Sequence, residues 1–276
     1  MIIEHLSCGS LCPHGRRWLS GADAGHEPAE LCCHCLLIHG PDGLILVDTG
    51  FGRADLRASS TRLGRSFTAI ARPRLDESLC AISQIEARGF RAADVRHILL
   101  THLDLDHAGG LSDFPQATVH VHQAEHQAAM HPHLRERARY RACQWQHPVR
   151  WQVHAGEGES WMGLHGIKAL PGSGDDILLI PLPGHTRGHC GIAVRSPAGW
   201  LLHAGDAYFH HGEMLDPPRY PAAIEVVESL LNVDRRQRRL NRDRLRALAQ
   251  RRQADVRVFC AHDPQELKLL QAAGQV

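Results

Sequence analysis

The sequence is poor in lysine: only Lys168 and Lys268 are present, and the other strongly basic side chains are arginines. Lys and Arg together number 31 against 30 Asp and Glu, so the net charge is +1. This balance lacks the excess of positive charge that marks proteins that bind nucleic acids or anionic membranes. We therefore expect a small-molecule substrate as the partner, with no nucleic acid and no membrane involved.

Long apolar runs are missing as well. A membrane-spanning helix needs roughly 20 consecutive apolar residues, and no stretch of the sequence approaches that. The first residues, Met1 to Leu6, have neither the basic start nor the apolar core of a secretory signal. The nine cysteines are an odd number and cannot pair completely within one chain. These absences predict a cytoplasmic protein with free thiols.

The Gly-x-Ser-x-Gly turn that presents a nucleophilic serine in many hydrolases is also absent. Internal repeats and low-complexity linkers are not found, so we predict a single domain over residues 1–276. What is abundant is histidine, with 22 residues. Histidine is the commonest metal ligand in proteins. The spacing of the histidines along the sequence is the criterion that distinguishes candidate metal ligands from the others.

The apolar patterns predict a mixed α/β chain. Strands are predicted at 31–39 and 44–47, around a Gly-Pro-Asp-Gly turn, and at 95–100, 118–122, 177–182, 190–195, 200–204 and 256–260. Helices are predicted at 76–88, ending at Gly89, at 123–130 and, as a pair, within 222–252, with a loop or short helices at 53–75. This order fits two central sheets with helices outside, which is a four-layer αββα sandwich.

Two stretches depart from this regular pattern. The segment 131–160 is rich in His, Arg and Trp, and we predict a lid or an insertion there. Its tryptophans Trp145 and Trp151 are expected to form one wall of the substrate pocket. The arginine-rich stretch 234–252 could attract phosphates, but the balanced net charge and the lack of interleaved aromatics favour a solvated helix face.

Metal-binding types of side chain follow four predicted strands. The run after residue 100 holds His102, Asp104, Asp106 and His107 within six positions, and a turn there could direct several of them to one point. The later strand ends carry the three other candidates, which are His185, Asp206 and His262. If the strands are neighbours, these residues gather on one rim, where α/β sheets usually bind ligands.

This set of residues resembles the metallo-β-lactamase superfamily, whose hallmark is His-x-His-x-Asp-His followed by distant His, Asp and His. The resemblance covers nearly the whole chain and implies a centre of two divalent metal ions. It assigns His102 and His185 to the first ion and Asp106, His107 and His262 to the second, with Asp206 between them. Asp104 stands where the family has its second histidine, and it could bind the first ion directly or through a water molecule.

The identity of the metal is open because of Asp104. The family implies zinc, and two divalent ions supply four positive charges. Asp104, Asp106, Asp206 and a bridging hydroxide would cancel all four, whereas a histidine at 104 would leave one. Oxygen ligands shift preference away from zinc, so we predict that iron or manganese binds at least as readily. The alternative is a labile first site, with about one metal ion per chain.

Two metal ions side by side activate water and polarise a carbonyl or phosphoryl oxygen. The implied reaction is therefore hydrolysis by a metal-bridging hydroxide, with Asp106 as a ligand that can also carry a proton to the leaving group. Local motifs resemble acyl-homoserine lactonases, which have a tyrosine shortly after the bridging Asp and a His-Asp pair at the last ligand. Tyr208 and His262-Asp263 fit this pattern, so we predict opening of a lactone or ester with Tyr208 as oxyanion donor.

Other functions share the motif. A glyoxalase-II-like thioesterase and a phosphodiesterase are the hydrolytic alternatives. The alternative of a different class is a di-iron redox protein, suggested by the carboxylate at 104, which would need a separate flavoprotein partner. A homodimer is left open by the sequence.

Residues around the motif also carry predictions. Asp48 closes the strand at 44–47, where the family keeps an acid that orients a ligating histidine. His189 is predicted to be structural rather than a ligand. The alternating thiols of Cys32, Cys33 and Cys35 could be read as part of a zinc knuckle, but they fit better as small apolar residues of a strand.

Overall fold

The computed structural model describes residues 2–19, 29–170, 177–251 and 255–274. Within these ranges, twelve strands form two six-stranded sheets in which neighbours along the chain are neighbours in space. The first sheet contains β1 (Ile2–Leu11), β2 (Leu31–Gly40), β3 (Gly43–Val47), β4 (Val95–Leu99), β5 (Thr118–His122) and β6 (Arg150–His154). The second contains β7 (Glu159–Trp161), β8 (Leu164–Lys168), β9 (Ile177–Pro181), β10 (Cys190–Ser196), β11 (Gly199–His203) and β12 (Val256–Phe259).

The helices lie between and after these strands. They are α1 (Arg16–Leu19), α2 (Arg53–Arg57), α3 (Arg65–Ala71), α4 (Ala81–Ala87), α5 (Gln123–Met130), α6 (Ala222–Leu231), α7 (Arg235–Ala249) and α8 (Pro264–Ala272). In the part of the chain that the structure describes, no helix combines the length and the apolar character needed to cross a bilayer.

Local sequence signals explain several of these elements. The Gly-Pro-Asp-Gly turn joins β2 and β3, which pair antiparallel from Leu36 opposite Val47 to Gly40 opposite Gly43, as predicted. The predicted end of α4 is also confirmed, because Gly89 has a φ of 84° and donates its N–H to the carbonyl of Glu86. Glycine adopts this left-handed conformation without steric cost.

Side-chain alternation along the strands builds the layers. Leu36 and Ile38 of β2 pack between the two sheets, whereas their neighbour Leu37 packs on the outer face of the first sheet, in the same cluster as Ile82 and Ile85 of α4. On the other side, Leu245 and Leu248 of α7 cover the outer face of the second sheet. Three apolar clusters thus separate four layers, and the predicted αββα sandwich is confirmed.

The segment 131–160 differs from the prediction. Part of it is β6, which pairs parallel with β5 and completes the first sheet. Trp145 and Trp151 pack against the apolar cluster on the outer face of that sheet and are not among the residues that line the large cleft described below. Their prediction as a pocket wall is wrong, because the indole rings cover the sheet. The stretch from His133 to Arg139 reaches the cleft instead.

The predicted solvated face of α7 is correct only in part. Arg238 and Arg242 are almost fully buried. They lie within ion-pair distance of Glu228, at 2.6 Å from Arg238, and Glu213, at 3.1 Å from Arg242. These arginines are buried because α6 and the turn before it present carboxylates to α7, an arrangement that charge spacing along one helix does not reveal.

Candidate metal centre

The run from Thr101 to His107 forms a tight turn directly after β4. The carbonyl of Asp104 accepts hydrogen bonds from the N–H groups of His107 and Ala108, both at 3.0 Å. The two glycines that follow allow close packing. A Cβ atom at Gly109 would collide with the carboxylate of Asp55, and one at Gly110 would lie 2.9 Å from the Cβ of Thr49. The turn therefore lets side chains adjacent in sequence converge.

The other candidates arrive from the second sheet. His185 follows β9, Asp206 follows β11 and His262 follows β12, and all three meet the turn after β4 at one end of the sandwich. The predicted gathering of strand ends is found, with the difference that the strands belong to two sheets rather than to one.

His102, Asp104 and His185 form the first ligand set. The Oδ2 atom of Asp104 lies 3.0 Å from Nε2 of His185 and 3.4 Å from Nε2 of His102. Oδ2 of Asp206 lies 3.4 Å from the same atom of His185. A four-coordinate ion with bonds of about 2.0–2.2 Å places its donors roughly 3.3–3.6 Å apart. Oδ2 of Asp206 lies 3.8 Å from Nε2 of His102, so the distances among these four donor atoms extend from slightly below to slightly above that spacing.

Asp106, His107 and His262 form the second ligand set, and Asp206 faces it with both oxygens. Oδ1 of Asp206 lies 3.3 Å from Nε2 of His107, and Oδ2 lies 3.2 Å from Nε2 of His262. Asp106 is more distant, with Oδ2 3.7 Å from Nε2 of His262. Asp206 thus lies between the two sets, in the position that the resemblance implies.

Buried polar atoms in both sets fit bound cations. Nε2 of His102, Nε2 of His107 and Oδ1 of Asp206 are buried and have no hydrogen-bond partner among the described residues. A buried polar atom without a partner costs free energy, and a divalent ion would supply the missing partner to all three. The donor types, imidazole nitrogen and carboxylate oxygen, are those that zinc, iron and manganese accept. The residues present therefore fit a two-metal centre.

The predicted orienting role of Asp48 has clear support. Its Oδ2 accepts a hydrogen bond from Nδ1 of His107 at 2.8 Å, and both of its oxygens accept from Thr101. Burial raises the pKa of Asp48, but the charge and hydrogen bond of His107 outweigh burial and lower it below its usual value. Asp48 therefore stays ionised and turns the other ring nitrogen of His107 toward the ligand set. The carbonyl of Cys32 does the same for His262, at 2.8 Å from Nδ1.

His189 is structural, as predicted. Its Nδ1 lies 3.1 Å from the carbonyl of Leu182, and its Nε2 accepts the N–H of Asp206 at 2.9 Å. Burial lowers the pKa of His189 well below its usual value, so the ring is neutral and one nitrogen can accept. The side chain fixes the loop that presents Asp206. Cys32, Cys33 and Cys35 are buried, as expected of small apolar residues of β2.

Glu125 of α5 is a residue that sequence reasoning missed. It is fully buried, and its two oxygens accept four hydrogen bonds at 2.6–3.2 Å, from Leu103 N, Tyr140 Oη, Thr186 Oγ1 and Gly188 N. Leu103 belongs to the turn that carries Asp104, Thr186 and Gly188 belong to the loop that carries His185, and Tyr140 lies between α5 and β6. Glu125 therefore connects the two loops of the first ligand set. A lone glutamate in a predicted helix gives no sequence signal of this role.

Arg139 is the second residue that was missed. Its Nε lies 2.8 Å from Oδ1 of Asp104, and its Nη1 donates to the carbonyl of His185 at 2.8 Å. Burial raises the pKa of Asp104, but the positive charge of Arg139, together with the contacts to the imidazoles of His102 and His185, outweighs burial and holds it well below its usual value. The guanidinium of Arg139 thus places a permanent positive charge beside the ionised carboxylate of Asp104.

Tyr208 does not lie where the prediction requires. Its side chain is fully buried on the outer face of the second sheet, and its hydroxyl donates to Oε1 of Glu266 at 2.9 Å. It is not among the residues that line the cleft, whereas its neighbour Phe209 is. Successive residues point in different directions, so a shift of one position separates a cleft residue from a buried one. The prediction of Tyr208 as oxyanion donor is therefore wrong for this arrangement.

A large cleft of about 1940 Å³ opens onto both ligand sets. Asp104, Asp106, Asp206, His185 and His262 line its floor. Its walls are mostly apolar and include Leu19, Phe67, Leu134, Phe209, Ile224 and Leu231. Arg135, Arg235 and Arg236 add positive charge to the lining. The cleft can therefore hold a ligand with an extended apolar part whose polar end reaches the carboxylates and imidazoles.

Comparisons with known proteins agree with this geometry. A probable metallo-hydrolase of Mycobacterium tuberculosis is 42% identical over 263 residues, which cover 95% of this chain and 80% of that relative. An N-acyl homoserine lactonase of Rhizobium johnstonii is 28% identical over 233 residues, covering 83% of this chain and 80% of that relative.

A solved structure of an N-acyl homoserine lactone hydrolase, with the product N-hexanoyl-L-homoserine bound at its catalytic metal centre, superposes with a TM-score of 0.72. The aligned part covers 97% of this chain and 95% of that one at 20% identity, a likeness that concerns the fold alone. Residues 30–262 match the Metallo-beta-lactamase superfamily, and they include all seven candidate ligands. The chain belongs to the Metallo-beta-lactamase superfamily.

Proposed function

We propose that this protein is a metal-dependent hydrolase that opens a lactone or ester whose acyl part is apolar. The observation that carries the proposal is the convergence of seven ligand-type side chains, five of which line the floor of one largely apolar cleft. The lactonase relative that covers 83% of this chain supports the choice of lactones.

The two ligand sets would hold one divalent ion each. His102, Asp104 and His185 would bind the first ion and Asp106, His107 and His262 the second, with Asp206 shared. Ions bound in this way would activate a water molecule and polarise the carbonyl group of the substrate. This supplies a nucleophile without a serine or cysteine.

The chain's own residues would bind the substrate and move the proton. Phe209, Ile224 and Leu231 line the cleft and would exclude water from the acyl part of the substrate. The carboxylate of Asp106 also faces the cleft, so it would take up the proton released when water attacks the carbonyl group of the substrate. Transfer of that proton to the leaving oxygen completes ring opening. Asp48 keeps His107 fixed during these steps through the hydrogen bond to Nδ1.

A panel of substrates tests the proposal. Acyl-homoserine lactones, simple γ-lactones, S-lactoylglutathione and bis-p-nitrophenyl phosphate are offered to protein loaded separately with zinc, manganese and iron. We expect lactones to be opened fastest, and lactones with longer acyl chains to have the lower KM. Faster turnover of S-lactoylglutathione would favour a thioesterase. No hydrolysis by any loaded form, together with a colour change on reduction of the iron form, would contradict a hydrolase.

Hydrolysis of a phosphoester is a second candidate, favoured by the arginines of the cleft. Arg135, Arg235 and Arg236 line it, and guanidinium groups bind phosphate oxygens well. In the same panel, turnover of bis-p-nitrophenyl phosphate above that of every lactone would select this function. Replacement of Arg236 by Gln should then raise the KM for the phosphoester and leave that for lactones unchanged.

A further inference from the structure

Arg139 lies in the segment between α5 and β6, and its guanidinium is largely shielded from solvent, with 14% of the side chain exposed. Nε contacts Asp104, Nη1 donates to the carbonyl of His185, and Nη2 donates to the carbonyl of Leu231 at 3.1 Å. A guanidinium offers five N–H donors in a rigid plane. This one joins the metal-binding turn, the His185 loop and the end of α6.

The two oxygens of Asp104 face different partners. Oδ1 is 2.8 Å from Nε of Arg139, whereas Oδ2 faces the nitrogens of His102 and His185 at 3.4 and 3.0 Å. A carboxylate can bind a metal ion through one oxygen or through both. Oδ1 is thus in ion-pair contact with Arg139, and Oδ2 is the oxygen that faces the nitrogens of the first ligand set.

We propose that Arg139 is a positioning residue that makes Asp104 a one-oxygen ligand and so keeps the first ligand set suited to a four-coordinate ion such as zinc. Arg139 also places one positive charge beside the carboxylate that replaces the family's histidine. The charges of two divalent ions, of Asp104, Asp106 and Asp206, and of a bridging hydroxide sum to zero. The positive charge of Arg139 restores the net charge that the centre would have with a histidine at position 104. The proposal rests on the two-metal centre proposed above but not on the identity of the substrate.

Cobalt(II) bound to the protein provides the test. Four-coordinate cobalt absorbs visible light strongly, and cobalt with more ligands absorbs weakly, so the band reports coordination geometry. Arg139→Met frees the second oxygen of Asp104. We expect a several-fold fall in the visible absorption per bound cobalt, and a higher ratio of manganese to zinc when the two metals compete for the metal-free protein.

Two further variants make the result specific. In an Asp104→His background, the imidazole binds through one nitrogen whether or not Arg139 is present, so Arg139→Met should leave the cobalt band unchanged. Arg187→Met is the matched control, because Arg187 pairs with Glu136 at 2.9 Å and lies two positions after His185 in sequence, without an ion pair to Asp104. It should behave as the unmodified protein.

Three results would overturn the proposal. An unchanged band in Arg139→Met would show that Arg139 does not restrict Asp104, and an equal fall in both backgrounds would show a general loosening of the site. One metal ion per unmodified chain, rising to two in Arg139→Met, would show that the guanidinium takes the place of the first ion, since its Nη2 lies 3.1 Å from Nε2 of His185. None of these measurements needs a substrate, so they stand if the hydrolysis panel fails.

Discussion

The two ligand sets differ in how the surrounding protein supports them. In the second set, the outer nitrogens of His107 and His262 are held by the carboxylate of Asp48 and the carbonyl of Cys32. In the first set, Nδ1 of His102 lies 3.0 Å from the hydroxyl of Thr101, whereas Nδ1 of His185 is buried with no hydrogen-bond partner among the described residues. Support there comes from Glu125, through the loop backbones, and from Arg139, through Asp104.

The difference shows how one substitution in a metal motif is accommodated. The second set keeps the family's residues, and its supporting acid, Asp48, lies where the family has one. The first set carries a carboxylate in place of an imidazole, and the chain places a cation against that carboxylate. Replacing a neutral ligand by an anionic one thus involves a partner that lies 35 positions away along the sequence.

Removal of the shared ligand should have the largest effect, because it affects both sets. Asp206→Asn keeps the shape of the side chain but removes its charge. We expect hydrolysis to fall by more than about 100-fold, since loss of an outer partner of a ligand already costs about 10–100-fold. Metal content, measured after dialysis, should fall as well. A variant that keeps two ions and full activity would show that Asp206 is not the shared ligand.

Glu125→Gln tests the support of the first set. The amide can accept fewer of the four hydrogen bonds, and its NH2 group would face other donors, so we expect the free energy of unfolding to fall by about 2–3 kcal/mol. Chelator titration should release the first ion more easily and leave the second unchanged. Glu86→Gln is the control, because Glu86 is an exposed partner of Arg53 and such pairs contribute little. Equal release of both ions would remove the distinction between the sets.

Asp48→Asn is the matching change in the second set. The amide can no longer act as an ionised acceptor for Nδ1 of His107, so the affinity for the second ion should fall by about 10–100-fold. Isothermal titration of the metal-free protein with zinc separates the two binding steps. Asp94→Asn, which changes a surface carboxylate paired with Arg91, should leave both steps as they are. Weaker binding of zinc to the first ligand set, with unchanged affinity of the second set, would contradict the assignment of His107 to the second set.

Tyr208→Phe should have the smallest effect. The hydroxyl contacts Glu266 and lies outside the cleft lining, so we expect an unchanged rate of lactone opening and a loss of about 1 kcal/mol in unfolding free energy. Phe209→Ala, one position further, removes part of the cleft wall and should raise the KM for long acyl chains. A tenfold slower rate in Tyr208→Phe would restore the role predicted from the sequence.

Features that depend on local pattern were predicted well. Alternation in β2 and β3, the turn between them and the ligand types at strand ends indicated two sheets with metal-binding types of side chain gathered at one end, and the structure has this arrangement. These features could be predicted because each is encoded within a few neighbouring residues.

Features that depend on contacts distant in sequence were not predicted. β1 is an example, because His5, Ser7 and Ser10 interrupt its apolar pattern and its strand form depends on pairing with β2. Arg139 and Glu125 are others, since nothing in their own surroundings in sequence indicates that they meet Asp104 and the His185 loop. The prediction for Tyr208 was wrong for a different reason, because a resemblance in spacing does not determine the direction in which a side chain points.

The ligands of each set come from both sheets, which has a mechanical consequence. The turn after β4 extends from the first sheet, and the loops after β9, β11 and β12 extend from the second. An ion in either set would therefore add a connection between the two sheets, beside hydrogen bonds that already join them at that end, such as the one from the N–H of His34 to the carbonyl of Ala261 at 2.9 Å. Because an ion that binds only the folded protein stabilises it, metal binding would oppose separation of the sheets. The temperature of unfolding would therefore rise with the concentration of available metal.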